Sequence, residues 1–156
     1  MTFTVRHESE RETMGSLQGA DAGDTTQPAL SAHEKEAWRS FLRFSGEVIS
    51  AVERDVYAAT GLSGADFQIL ARLHEAEEHQ LTQKELGVLM GWTATRLSHQ
   101  IARMDRRDLV DREAAGRGRL MMLHLTDTGW RAYTSALPVH TRSVRENYFR
   151  RRQEGS

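Results

Sequence analysis

A chain of 156 residues, 38% of them hydrophobic, is sized for one compact domain, and helices sharing apolar faces with a second copy would make up for the modest apolar fraction. The lack of cysteine excludes disulfides, zinc-thiolate sites and thiol chemistry. No apolar run approaches the roughly 18 to 20 residues of a membrane span and the amino terminus lacks a secretory pattern, so a soluble, cytoplasmic protein with no membrane partner is expected. The formal charge of -1 is unevenly spread: residues 1–90 carry 8 basic and 15 acidic side chains, residues 91–131 carry 8 and 5, and residues 132–156 carry 5 and 2.

Residues 1–30 hold Gly15, Gly19, Gly23 and Pro28 among scattered acids and few apolar side chains, too little to offset the entropy of ordering, and are expected to form a flexible tail. A single domain over 31–152 follows. Ser31 with Glu34 fits a capping box, and Trp38, Phe41, Leu42, Val48, Ile49, Val52 and Val56 recur at helical spacing, predicting a long helix to about Thr60 stopped by Gly61. Ser63 with Asp66, and Thr82 with Glu85, repeat the start signal ahead of Phe67, Ile69, Leu70 and Leu73 and of Leu86, Leu89 and Met90. Gly91 is a turn, and Thr93 to about Asp108 reads as a further helix. Leu109–Glu113 and Leu120–Leu125 are strand-like and flank a glycine-rich hairpin tip with Gly116 and Gly118. Thr126 is expected to cap a helix to about Leu137, and Pro138 to open a last one through Val144, Tyr148 and Phe149.

On the Thr93–Asp108 helix, Leu97, Ile101 and Met104 form a narrow apolar stripe. Thr95, His99, Arg103 and Arg106 lie opposite it, with Arg96 and Ser98 on its flanks and no acid on that face before Asp105. Hydroxyls, an imidazole and guanidinium forks match phosphate oxygens and base edges. A charged helix face is more often simply solvated, but here four features occur together: a short helix, a glycine turn, a basic helix, and a hairpin with Arg117 and Arg119 at its tip. That order is the order of a winged helix-turn-helix. The candidate DNA contacts are therefore Thr93, Thr95, Arg96, Ser98, His99, Arg103, Arg106, Arg117 and Arg119, the wing arginines suiting a narrow minor groove.

The stretch Leu62–Tyr133 resembles the MarR family of bacterial regulators, and the similarity runs from about Ser31 to Phe149. It rests on Gly61-Leu62-Ser63, Leu81-Thr82-Gln83-Lys84-Glu85-Leu86, Arg96-Leu97-Ser98-His99-Gln100-Ile101-Ala102-Arg103-Met104, Asp108-Leu109-Val110-Asp111-Arg112 and Leu125-Thr126-Asp127-Thr128-Gly129. The resemblance implies a mainly α fold: a winged helix-turn-helix over 62–126 with a two-stranded β-wing, and dimerisation helices over 31–60 and 127–152. It further implies a homodimer on a near-palindromic double-stranded operator, acting as a repressor released by a small aromatic or anionic ligand. The family usually carries an aspartate just before the wing arginines. Here that neighbourhood reads Ala114-Ala115-Gly116, so a bracing role would pass to Arg112 or a backbone carbonyl.

No enzyme, cofactor or metal site is expected. His74-Glu75-Ala76-Glu77-Glu78-His79 has one residue too many for a zincin motif, and on a continuous helix its histidines point about 140° apart. Gly61-Leu62-Ser63-Gly64 is a cap and no nucleophile elbow. A winged helix that binds protein is the alternative function, opposed by the charge on the Thr95, His99 and Arg103 face. Trp38 is the candidate ligand contact, while Trp92 and the tyrosines more often pack in a core.

Overall fold

The computed structural model describes residues 29–116 and 120–154. The tail expected over 1–30 thus lies almost wholly outside the described residues, as do Arg117, Gly118 and Arg119. The chain begins with α1 (Ala32–Thr60), started by the Ser31–Glu34 capping box and ended at Gly61, whose φ of 71° provides the left-handed turn that favours glycine. Helix α1 is packed from Phe44 onward, with Ala51 and Val56 buried, whereas residues 32–43 are exposed throughout.

Helix α2 (Gly64–Glu75) starts at the Ser63–Asp66 capping box and buries Phe67, Ile69, Leu70 and Leu73. Strand β1 (Gln80–Thr82) follows a tight turn and leads into α3 (Gln83–Met90), which the Thr82–Glu85 capping box starts and Gly91, at φ 62°, ends. Next come α4 (Ala94–Asp105), β2 (Val110–Ala115), β3 (Leu120–Leu125) and α5 (Asp127–Val144). A π-helical stretch, Arg145–Arg150, carries α5 into α6 (Arg151–Glu154). The fold is mainly α, with Leu70, Leu86, Ile101, Met104 and Leu123 meeting in one fully buried core. No described helix is long and apolar enough to cross a membrane.

Three details depart from the sequence expectation. The sheet has three antiparallel strands in the order β1-β3-β2, because β1 adds to the hairpin with Leu81 opposite Leu123. Pro138 does not open a new helix but lies inside α5. Its fixed φ suits a helix, it sits on the exposed side where water can satisfy the freed carbonyl, and Tyr133, Ala136 and Val139 hold the helix to the core across the proline. Finally, the His74 and His79 rings do not diverge but lie 5.5 Å apart. Helix α2 ends at Glu75, and left-handed backbone at Glu78 and His79 folds the chain back, so the angle of a continuous helix does not apply.

Candidate nucleic-acid interface

Helix α4 is positioned from three sides. Its N-terminus is capped by Thr93, whose hydroxyl accepts from the Arg96 N–H at 3.3 Å. Leu97, Ile101 and Met104 are buried as the spacing predicts, and pin the helix to the core. Beyond Asp105 the chain turns through Asp108, a non-glycine residue at φ 56°. That turn is tied to the start of α5: the Thr126 hydroxyl donates to the Asp108 carbonyl at 2.6 Å and the Thr128 hydroxyl to its carboxylate at 2.7 Å.

Opposite the buried stripe, Thr95, Ser98, His99, Arg103 and Arg106 are exposed, as is Thr93 at the cap. Arg96 is exposed too, but ordered, with its guanidinium carbon 3.9 Å from the centroid of the half-buried Trp92 ring. Arg103 donates to the side-chain carbonyl of Gln100. The structure thus gathers the expected α4 residues on one open, basic face. Of the wing, it describes the strands, paired from Val110 opposite Leu125 to Ala115 opposite Leu120, and Gly116 at φ 73°. Arg112 on β2 pairs with Asp105 at the end of α4, Nη2 at 2.7 Å and Nε at 2.9 Å, so this arginine braces the wing against the helix.

Sequence reasoning missed the polar cluster beneath the face. Asp66 was legible as a capping residue only, yet it is buried and bridges Gln100, Arg107 and the Ser63 N–H. A signal existed: on a helical wheel Gln100 falls on the side of Leu97, Ile101 and Met104, where a polar residue demands a partner.

A separate cavity of about 220 Å³ lies between α1, α2 and α5, lined by Val48, Ile49, Val52, Phe67, His140 and Val144 among others. The His140 ring stacks on Phe67 at 4.3 Å, and burial pushes its pKa below the ordinary histidine value. Trp38 does not line this cavity within one chain; it stacks on Phe41 at 5.5 Å on the exposed half of α1. Elsewhere, His74, His79, Trp130 and Tyr133 form an aromatic cluster, and burial, with the Glu75 charge second, raises the Tyr133 pKa. Among the described residues no group of three or more His, Asp or Glu side chains is placed to hold a metal ion.

A model of the MarR family matches residues 60–119, the span from the end of α1 to the wing tip. AbsC, a MarR family transcriptional regulator from Streptomyces coelicolor, is similar over 78% of this chain and 82% of its own, with 31% identity and a TM-score of 0.74. Sco3205, a MarR family transcriptional regulator from the same organism solved in complex with DNA, is 28% identical over 80% of this chain and 79% of its own, with a TM-score of 0.75. The transcriptional regulator MOSR of M. tuberculosis, also solved with DNA, is 25% identical over 70% and 78%, with a TM-score of 0.61. No curated protein matches the chain.

Proposed function

The chain belongs to the MarR family of transcriptional regulators, and from that membership we propose that it is a homodimer that reads a near-palindromic double-stranded operator. Helix α4 enters the major groove and the wing, with Arg117 and Arg119, lies along the neighbouring minor groove. The observation that carries this reading is the face of α4: Thr95, Ser98, His99 and Arg103 stand exposed on a helix whose other side is locked in the core. A helix held this way presents its side chains in fixed geometry, which base readout requires. The DNA complexes of Sco3205 and MOSR support the same use of the fold. In this reading residues 62–126 bind DNA, and 31–60 with 127–152 form the dimer. The test is selection of a random duplex pool on the full chain. Enrichment of an inverted repeat is expected; a pool that stays random makes the chain a protein-binding winged helix instead.

The reading extends to repression relieved by a small ligand. Support comes from the cavity between α1, α2 and α5, which joins the dimer helices to the helix that packs on α4. Its aliphatic walls, with Phe67 for stacking and His140, Gln68 and Glu53 as polar groups, suit a small aromatic compound, and a ligand that binds one spacing of the two α4 helices better shifts the population off DNA. Phenolic and aryl carboxylate compounds are expected to lower operator affinity, and His140→Ala to blunt the response. A panel that leaves operator binding unchanged removes the ligand from the reading.

A further inference from the structure

Asp66 and Gln100 are buried to 2% and 5% exposure where the first turn of α2 meets α4, beside a pocket that Ser63, Arg103, Arg106 and Arg107 also line. Polar groups in such a place cost stability unless satisfied, and a helix contact needs neither. Their bonds have a direction. The carboxylate of Asp66 only accepts: Oδ1 takes the Gln100 Nε2 at 2.6 Å, while Oδ2 takes the Ser63 N–H at 2.9 Å and Arg107 Nη1 at 2.7 Å. Arg107 Nη2 continues to the Gly61 carbonyl at 3.2 Å, so one carboxylate ties the end of α1 and the start of α2 to α4.

The consequence for Gln100 is an orientation. With its NH2 committed to a carboxylate that cannot donate, the amide must turn its carbonyl the other way, and that oxygen receives Arg103 Nη2. The fold itself does not need this last bond, since Arg103 is exposed and Arg107 already neutralises Asp66. What the bond does is hold a long, exposed side chain in one direction. A guanidinium has five N–H donors, so engaging one leaves a fork for the two acceptors of a guanine edge.

We infer that Asp66 and Gln100 are specificity-determining positioning residues: the buried carboxylate sets the Gln100 amide, and the amide aims Arg103 at one base pair. The inference rests on the DNA reading above. Without the carboxylate the amide is free to present its NH2 to a cation, which repels Arg103 from its reading position.

The test uses the full chain, its selected operator, and operator variants carrying each base-pair change in turn. Arg103→Ala identifies the base pair read by that side chain. Gln100→Met, which keeps length and burial and leaves the capping box intact, is expected to lose about tenfold in discrimination at that base pair. Its affinity for random duplex, its salt slope and its discrimination elsewhere should stay those of the wild type. The double variant Gln100→Met, Arg103→Ala should discriminate no worse than Arg103→Ala alone. Asp66→Asn should show the same base-pair signature together with a lower melting temperature. Equal weakening on every duplex in step with melting temperature assigns the pair a structural role and overturns the inference. Undiminished operator discrimination by Gln100→Met overturns it while the DNA reading stands, whereas a wild type that selects no operator overturns both.

Discussion

Arg96 and Trp92 show how a neighbour can prepare a side chain for the DNA contact proposed above. Lying 3.9 Å over the indole, the guanidinium gains about 0.5 to 1 kcal/mol from the ring and gives up rotamer freedom before DNA arrives. It does so at the N-terminal turn of α4, where backbone N–H groups and the helix dipole favour a phosphate. Arginines differ by what holds them. Arg119, next to Gly118 in the sequence, should act through charge: Arg119→Ala is expected to weaken all duplexes alike and to reduce the salt slope by about one per lost phosphate contact in each subunit. Arg103, held by Gln100, should act through direction: Arg103→Ala is expected to cost about 1 to 3 kcal/mol against the preferred base and little elsewhere. Operator and random-duplex affinities at several salt concentrations separate the two, and wild-type affinity in both variants would leave this face merely solvated. His140 is a residue of another kind. Because burial lowers its folded pKa, the unfolded chain takes up the proton first. Its neutral form is therefore compatible with full stability above about pH 6.5, and stability falls as pH drops from there toward the folded value. His140→Phe keeps the stack on Phe67 and removes the titration. Between pH 8 and pH 5.5 the wild type should lose more in melting temperature than this variant, and equal losses would refute the assignment.

At the scale of elements, the starts and stops were the most legible features. Ser31–Glu34, Ser63–Asp66 and Thr82–Glu85 all form capping boxes, because a hydroxyl and a carboxylate three residues apart satisfy two orphan N–H groups whatever the tertiary context. Hydrogen bonds from the Thr82 hydroxyl and N–H hold the Glu85 carboxyl below its usual pKa, a mark of how fully that cap is made. Features that depend on distant partners were less legible. Strand β1 is three residues long and exists through its pairing with β3, and Pro138 is tolerated because α5 is held by contacts on both sides of it. The α4 face could be read from spacing, whereas Asp66 and Gln100 meet across 34 residues, so the wheel position of Gln100 signals a partner without identifying it. Gly129 belongs to both classes. The sequence motif contains it, but only packing gives the reason: a Cβ there would run into the Leu109 carbonyl, where the first turn of α5 crosses the turn between α4 and β2. Gly129→Ala is therefore expected to destabilise by about 1 to 3 kcal/mol, since neither backbone can yield without moving α4 or the wing. Thermal melts check the magnitude; a change below a few tenths of a kcal/mol would mean that the two backbones separate at little cost.

At the scale of the whole molecule, residues 32–43 of α1 stand exposed among the described residues. Trp38, Phe41, Leu42 and Ile49 are all about half exposed on that helix, and Phe149 at the far end of the chain is exposed to a similar degree. A helical segment of this length is marginal in water by itself, and large apolar side chains in a contiguous patch mark an association surface. The C2 dimer proposed above covers them and also fixes the distance between two α4 helices. Half-sites one helical turn apart, about 34 to 36 Å, then lie on the same face of the duplex. Because joining two weak half-site contacts raises avidity by about 10² to 10⁴ without a new contact, the dimer surface should control operator affinity from far outside the DNA face. Trp38→Glu with Phe41→Glu should yield a monomer in sedimentation at micromolar concentration, lower full-operator affinity at least a hundredfold, and leave affinity for an isolated half-site unchanged. In the wild type, inserting five base pairs between the half-sites turns one to the opposite face and should cost a similar factor, while an unaltered protein that sediments as a stable monomer would rule the dimer out.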